Sequence, residues 1–347
     1  GERTIPAART TPDAAQLHDL LAQMVAAGCD SAVMEVSSHA LDQQRVADIA
    51  YDAAVFTNLT RDHLDYHGDM DTYFQTKLTL FDSLGESGKE AVAVVNADDP
   101  WGRRLLDSRK GRTFRLIGFG TAPEADVRAV DVDVSTRGTR FKLVSPWGES
   151  AVKSPILGRF NVSNMLAAFA AAGSYGVSAD VAARVFGNLR NVRGRLENVP
   201  TGRKFSVFVD YAHTDDALDH VLSTLREITP HRLMVVFGCG GDRDRGKRPA
   251  MGRVAAEKAD VCILTSDNPR SESPADILAE IRAGIPSGRN HVVIEDRREA
   301  IRKALSLAEA GDVILVAGKG HENFQEFANR TIPFDDRAVV KEELERL

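Results

Sequence analysis

SVFVDYAHTDDALDHVLSTLREITPHRLMVVFGCGGDRDRGKRP, residues Ser206–Pro249, decides the fold. Two runs in it, Ser206–Asp210 and Leu233–Phe237, are short, apolar and β-branched, and each stops at turn residues, the pattern of buried strands. Three further runs follow, Val261–Thr265, His291–Ile294 and Val313–Ala317, most of the five being followed by a helical pattern. Strands alternating with helices imply a parallel, helix-covered sheet, so the fold class is α/β. Upstream, Ser31–Val36, Ala53–Asn58 and Ala91–Asn96 read as strands, and Asp13–Ala27, Asn161–Tyr175 and Ser178–Leu189 as helices. Residues 114–152 alternate in polarity, with Gly138 and Gly148 as turns, and read as an antiparallel insertion. The rhythm changes at Arg193-Gly194-Arg195, which puts a boundary near Val192 and divides the chain into 1–192 and 193–347. Gly1–Thr11 is loop-like; since a parallel-sheet domain more naturally begins with a strand, the chain is expected to start inside a domain.

The chain of 347 residues is 43% hydrophobic and 27% charged, ordinary for a globular protein of two domains. Its net charge of −6 argues against nucleic acid as the main partner, so any anionic ligand must be met by locally placed Arg and Lys. Cys29, Cys239 and Cys262 are too few and scattered for a disulfide framework or a zinc site, which fits a reducing compartment. No apolar run approaches the ~20 residues of a membrane span and no signal-peptide pattern opens the chain, so the expectation is a soluble, cytoplasmic protein.

In open α/β sheets ligands collect at the carboxyl ends of strands, and five strand ends here bear chemistry. Glu35-Val36-Ser37-Ser38-His39 offers a hard oxygen ligand for Mg²⁺ and hydroxyls for an anion, or simply a helix cap. Asn58–His67 packs two His and two Asp into one stretch, a metal or phosphate neighbourhood or solvated loop residues. Asp210-Tyr211-Ala212-His213 suits the ribose or base of a nucleotide, or a helix start. Gly241–Lys247 fits G-x-x-x-x-G-K, but Arg248 replaces the Mg²⁺-binding hydroxyl and charged side chains crowd the loop. A loop presenting guanidinium groups to carboxylates or phosphates is the better reading. Asp267-Asn268-Pro269-Arg270 and Gly318-Lys319-Gly320-His321-Glu322 together can clamp a zwitterion, Arg270 on a carboxylate and Glu322 on an ammonium. Each alone is also plain loop punctuation.

Taken in order, TTP (10–12), EVSSHAL (35–41), FTNLTRDHLDYHGDMDTYFQTK (56–77), VNADDP (95–100), FNVSN (160–164), GRLE (194–197), DYAHTDDAL (210–218), FGCGGDRDRGKRP (237–249), DNPR (267–270) and AGKGHE (317–322) run from end to end of the chain. The chain thereby resembles the Mur ligases, and among them the branch that adds the third residue of the peptidoglycan stem peptide. The resemblance implies a central ATPase domain, mostly parallel sheet and incomplete at its N-terminus, and a C-terminal Rossmann-like domain. It implies ATP-dependent amide formation: ATP phosphorylates a carboxylate of UDP-N-acetylmuramoyl-L-alanyl-D-glutamate, and the incoming amine attacks the acyl phosphate. It implies roles too. Thr10, Thr11, Ser37, Gln43 and Arg45 match the muramoyl-dipeptide site. Glu35 and His63 match Mg²⁺ ligands, and Lys77 a lysine that is carbamylated in the family and helps hold the metal. Asn161, Asn164, Arg195, Asp210 and His213 match positions near ATP. Arg243, Asp267, Asn268, Pro269, Arg270, Gly318 and Glu322 match the amino-acid pocket. The DNPR form resembles members that select meso-diaminopimelate, whose second carboxylate Arg270 and Arg243 can pair; lysine lacks it and leaves a guanidinium unpaired.

Two departures stand out: Asp215 occupies a position more often Pro, and Arg9 precedes the Thr pair where Asn is frequent. The family's uridine-binding domain and G-T-x-G-K-[ST] loop come before the point where this chain begins, so this polypeptide alone is expected to have little or no ligase activity. Alternatives are another Mur or folylpolyglutamate-type ligase, or a non-catalytic fragment that binds amino acid or nucleotide.

Overall fold

A computed structural model of the protein describes residues 4–5, 9–60, 63–85, 88–108 and 114–347. Residues 1–3 and 6–8 of the loop-like start, and Arg61 and Asp62 of the His- and Asp-rich stretch, lie outside the described residues. The chain divides into two units, residues 1–131, 141–152 and 162–184, and residues 132–140, 153–161 and 185–347. Among the described residues no helix is long and apolar enough to cross a membrane.

The first unit opens with α1 (Ala14–Ala26), started by Asp13, whose carboxylate accepts from the Gln16 amide at 3.0 Å. Then come α2 (Ser38–Asp42), β1 (Ala53–Phe56), α3 (Leu64–His67), α4 (Met70–Asp82), β2 (Val92–Asn96), α5 (Pro100–Ser108) and β3 (Arg115–Gly120). β1, β2 and β3 pair in parallel. Every residue of β2 is buried, and Tyr73, Phe74, Leu78 and Phe81 of α4 belong to the same core cluster as β1 and β2. β4 (Val127–Ser135), β5 (Gly138–Ser145) and β6 (Gly148–Ser154) extend the sheet to six strands in chain order. They are joined by two-residue connections, which only antiparallel neighbours allow. α6 (Arg159–Gly173) and α7 (Ala179–Gly187) follow.

Two expectations are corrected here. β3 is a third parallel strand rather than part of the antiparallel insertion; its Ile117–Gly120 run is continuously buried, which alternation does not describe. Ser31–Val36 is not a strand. Its apolar residues divide between a small cluster containing Met34 and Val36, with Leu17 and Ala40, and open solvent, where Val33 is 99% exposed. An apolar run becomes a strand only where a neighbour supplies the ladder, and no strand among the described residues pairs with it.

The second unit is wound on both faces of one sheet: β7 (Glu197–Val199), β8 (Ser206–Asp210), α8 (Asp215–Ile228), β9 (Leu233–Phe237), α9 (Lys247–Lys258), β10 (Val261–Leu264), α10 (Pro274–Ala283), β11 (His291–Val293), α11 (Arg297–Leu307) and β12 (Val313–Ala317). The strand order is β11-β10-β9-β12-β8-β7, parallel except for β7. Alternate residues of β9 serve opposite cores: Leu233, Val235 and Phe237 meet α8, α9 and α10, while Met234 and Val236 meet α11 and α12 (Asp336–Glu345). Between β12 and α12 lies a hairpin absent from the sequence reading, β13 (Phe324–Phe327) with β14 (Arg330–Pro333). Because β12 inserts between β8 and β9, the chain order reverses there, and the carboxyl ends of β8, β9, β10 and β12 open onto one crevice.

Asp312, just before β12, has its side chain fully buried and accepts from Arg232 Nη2 at 2.7 Å, the Glu309 amide at 2.8 Å and His231 Nδ1 at 2.7 Å. Burial alone would push its carboxyl up, but these hydrogen bonds outweigh burial and hold it at about 2. A folded pKa below the unfolded one contributes stability that is complete above about pH 4 and fades as the pH falls toward about 2. Asp312→Asn is therefore expected to flatten the acid limb of stability measured by urea unfolding across that window; an unaltered acid limb would count against this role.

Candidate active site

In the first unit, α2 and α3 bring together most of the residues matched to the muramoyl dipeptide. Buried Thr11 donates through Oγ1 to the Glu35 carbonyl at 2.9 Å and accepts from the Ser37 amide at 3.0 Å. Ser37 caps α2, accepting from the Ala40 amide at 3.2 Å, so the plain helix-start reading holds for it. Arg45 donates from Nη1 to the Thr11 carbonyl at 3.3 Å and from Nε to Gln43 Oε1 at 3.0 Å. Gln43 donates in turn to Tyr66 Oη at 3.3 Å, and Tyr66 to Asp42 at 2.5 Å. Thr10 is exposed beside them.

Of the His- and Asp-rich stretch, the sequence singled out His63, which is exposed and holds a left-handed φ of 53°. The structure sets it in a larger group of rings. His39 lies 5.0 Å from His63, 4.1 Å from Tyr66 and 5.6 Å from His67, and His67 stacks on Tyr73 at 4.9 Å. Lys77 Nζ sits 5.0 Å over the Tyr73 ring. His67 hydrogen-bonds Ser38 Oγ at 2.9 Å; burial first, then the nearby His39, lower its pKa. The signal was present in the sequence, since His63, Tyr66 and His67 have helical i, i+3, i+4 spacing. Glu35 is exposed. Among the described residues no three His, Cys, Asp or Glu side chains stand together as a metal cage. A Mg²⁺ ion, which commonly binds through one or two carboxylates with water and substrate phosphates completing its shell, needs no such cage. On α6, Asn161 and Asn164 lie one turn apart, and Asn161 donates to the Leu157 carbonyl at 2.7 Å.

In the second unit, Asp210 ends β8 and is buried. Its two oxygens accept from the Leu196 amide at 2.6 Å and the Ala212 amide at 2.8 Å, and burial raises its pKa despite those bonds. Its carboxylate thus shapes the loop at 194–196 and is not open. Exposed Arg195 stands 5.6 Å over the Tyr211 ring, which neighbours His213 at 4.6 Å and His321 at 5.0 Å, a stacking surface that the sequence reading did not foresee.

The charged loop after β9 is corrected in part. One of its guanidinium groups is interior, since fully buried Arg248 pairs with Glu272 and Glu280, each at 2.8 Å, while exposed Arg245 pairs with Glu272 at 2.8 Å from the surface. Arg248 holds the Glu272 carboxyl at about 2. Arg243 is exposed without a carboxylate partner among the described residues, donating to the Asp242 carbonyl at 3.0 Å. Rejection of a phosphate loop stands, because this loop is clamped by the loop 268–272 rather than open: the Gly241 amide donates to the Asn268 carbonyl at 2.9 Å and the Asp242 amide to Glu272 at 2.6 Å.

Asp267-Asn268-Pro269-Arg270 and Gly318–Glu322 do meet. Asn268 Nδ2 donates to Glu322 Oε2 at 2.9 Å. Arg270, at a left-handed φ of 50°, donates from Nε to Glu326 at 3.0 Å and from Nη1 to the Gly241 carbonyl at 2.8 Å, and Nη2 has no hydrogen bond among the described residues. Asp267 is buried, which raises its pKa, and Gly318 lies against it: a Cβ there would sit 2.4 Å from Asp267 Oδ2. Glycine at 318, with φ of 113°, is what lets the loop turn this close. Two residues missed by the sequence complete the cluster, Glu326 and the fully buried Lys319.

The chain is a two-unit α/β protein whose second sheet gathers a cation, an amide and carboxylates at its carboxyl edge, and direct comparison shows its family to be one of ligases. The Mur ligase middle domain matches residues 1–172, and the Mur ligase glutamate ligase domain matches residues 194–320. The chain belongs to the Mur ligase family. Within it, the chain is similar to UDP-N-acetylmuramoyl-L-alanyl-D-glutamate--2,6-diaminopimelate ligase from Gloeobacter violaceus, 49% identical over 341 residues that cover 98% of this chain and 68% of the relative. A solved structure of a ligase of the same name matches with a TM-score of 0.73 at 41% identity, covering 97% of this chain and 69% of that one. MurF ligase from Thermotoga maritima, solved in complex with ADP, shares the fold, with a TM-score of 0.61 at 18% identity over 88% of this chain and 64% of that one.

Proposed function

We propose that the protein carrying these two units forms an amide bond at the expense of ATP, joining meso-diaminopimelate to UDP-N-acetylmuramoyl-L-alanyl-D-glutamate in peptidoglycan synthesis. One observation carries the amino-acid half of this reading: about Asn268, a guanidinium with an unused Nη2 and a carboxylate with an unused Oε1 stand on neighbouring loops. Meso-diaminopimelate presents carboxylates and ammonium groups to match them. Arg270 and Arg243 take the far carboxylate, Glu322 takes an ammonium, and Asn268, Asp267, Pro269 and Gly318 shape the floor. Lysine in the same place leaves Nη2 of Arg270 without a carboxylate to meet.

In the reaction, an oxygen of the dipeptide carboxylate attacks the γ-phosphorus of ATP and ADP leaves. The amine, having lost a proton, then adds to the acyl-phosphate carbon, and phosphate leaves from the tetrahedral intermediate. This chain's residues orient and neutralise. Thr10, Thr11, Ser37, Gln43 and Arg45 hold the muramoyl dipeptide, and the Thr11–Glu35–Ser37 hydrogen bonds keep that surface rigid. Asn161 and Asn164 on α6, and Arg195, Asp210 and His213 in the second unit, are each read as nucleotide contacts. Mg²⁺, when bound, neutralises phosphate charge; Glu35 and His63 would hold it, joined by Lys77 once carbamylation has made its cation a carboxylate-like ligand. The reading places the protein in the cytoplasm, in keeping with three cysteines that are all free.

Amino-acid-dependent ADP release, measured with the whole protein, tests this. Meso-diaminopimelate should exceed L-lysine in kcat/KM by about 100-fold or more, since an unpaired, half-buried guanidinium nitrogen is the penalty. Equal use of lysine would overturn the assignment of the amino acid, and ADP release independent of any amino acid would overturn the ligase reading.

A further inference from the structure

Lys319 lies at the centre of the amino-acid cluster, yet nothing above gives it a task. Its side chain is fully buried. Nζ donates to Asn268 Oδ1 at 2.9 Å and to Glu322 Oε2 at 3.1 Å, lies 3.8 Å from Asp267 Oδ1, and sits 5.6 Å from the centre of the Phe324 ring. An ammonium only donates, so the atom of Asn268 facing it must be the oxygen. The Glu326 amide, donating to the same Oδ1 at 3.0 Å, fixes the same orientation independently. Nδ2 of Asn268 is thereby forced toward Glu322, where it meets Oε2 at 2.9 Å. Glu322 Oε2 is therefore held by two donors, while Oε1 makes no hydrogen bond among the described residues.

We propose that Lys319 is a positioning residue for the amino-acid substrate: its buried ammonium locks Asn268 and one oxygen of Glu322, so that the other oxygen meets the substrate's ammonium in a single direction. The proposal rests on the reading of this pocket given under the proposed function. Without Lys319, Asn268 can turn over, Glu322 loses its neutralising neighbour, and the carboxylate swings among orientations of which one suits the substrate. The loss falls on binding of the amino acid, since Lys319 does not touch the reacting carbon.

The test is a double-mutant cycle in the whole protein, with KM for meso-diaminopimelate, KM for ATP and kcat read separately, and thermal melting as a folding control. Lys319→Met should raise KM for meso-diaminopimelate about 30-fold, with KM for ATP within about twofold, as expected for loss of a buried charge-assisted contact. In a Glu322→Gln background the same substitution should add less than about threefold, because the two act as a unit. Lys319→Gln keeps a donor on a shorter neutral chain and should raise KM less, about fivefold, and it carries the test if the methionine variant does not fold. An unchanged KM in a folded Lys319 variant overturns the positioning role, as do effects of Lys319→Met and Glu322→Gln that simply multiply. Should Glu322→Gln itself leave KM unchanged, the reading of the pocket fails first, a different result from failure of Lys319 alone.

Discussion

Arg270→Ala is expected to raise KM for meso-diaminopimelate on the order of 10³-fold, the size found when one partner of a desolvated charge pair is truncated. KM for ATP should stay within about twofold, because the side chain's partners are confined to the amino-acid cluster. The reasoning starts from the backbone. Arg270 sits at a left-handed φ and its amide donates to the Glu326 carbonyl at 3.1 Å, so the residue is pinned to the hairpin strand β13. Its guanidinium is then held on two sides, by Glu326 and by the Gly241 carbonyl, which leaves one nitrogen for a substrate carboxylate. Little conformational entropy remains to be lost on binding, so most of the charge-assisted hydrogen bond appears as affinity. Arg270→Lys should recover little, since a point charge cannot hold the fork that keeps Glu326 and Gly241 in place. L-lysine, with no far carboxylate, should be used no worse by the alanine variant than by the native protein. Steady-state kinetics with both amino acids decide the matter, and a KM for meso-diaminopimelate within threefold of native would remove Arg270 from substrate recognition.

Arg297→Met should lower the unfolding free energy by about 3–5 kcal/mol, the cost of stranding a buried charge. Arg297 and Asp336 are both fully buried and face each other as a fork, Nε to Oδ1 at 2.8 Å and Nη2 to Oδ2 at 2.7 Å. The same guanidinium donates to the Ala317 carbonyl at 2.9 Å and the Ser266 carbonyl at 3.4 Å. It therefore joins the starts of α11 and α12 to the last residue of β12 and to the residue preceding Asp267. Removing the cation leaves the Asp336 carboxylate without a counter-charge in a site closed to water. Adding Asp336→Leu to Arg297→Met should restore much of the loss, because an apolar pair of similar volume needs no solvation. Denaturant unfolding of the single and double variants measures this; a double variant as unstable as the single would mean that the carbonyl bonds, not the carboxylate, dominate.

The sheet of the second unit was legible because its central strands, β9, β10 and β12, are buried on both faces and read as unbroken apolar runs. Leu233–Phe237 and Val313–Ala317 coincide with β9 and β12. The same rule misled at Ser31–Val36, where composition announces a strand but pairing depends on a neighbour that composition does not reveal. It also concealed β3 inside a stretch dominated by alternation. For the amino-acid cluster, the sequence identified the loops but not which charges face outward. Arg243, Arg245 and Arg248 look alike in the chain, and Glu272 and Glu280, 24 and 32 residues beyond Arg248, determine that the last of them is interior. Lys319 was passed over for a similar reason: its partner Asn268 is 51 residues away, and a lysine between glycines has no periodicity to betray its burial.

The distribution of thiols has a practical consequence. Cys239 and Cys262 are buried, and burial pushes both up to about 12, so neither offers a thiolate to an alkylating reagent at neutral pH. Cys29, just beyond α1, is partly exposed. A maleimide dye should therefore attach to the folded protein at one position without any engineered cysteine, and the rise from one labelled site to three would count unfolded molecules directly.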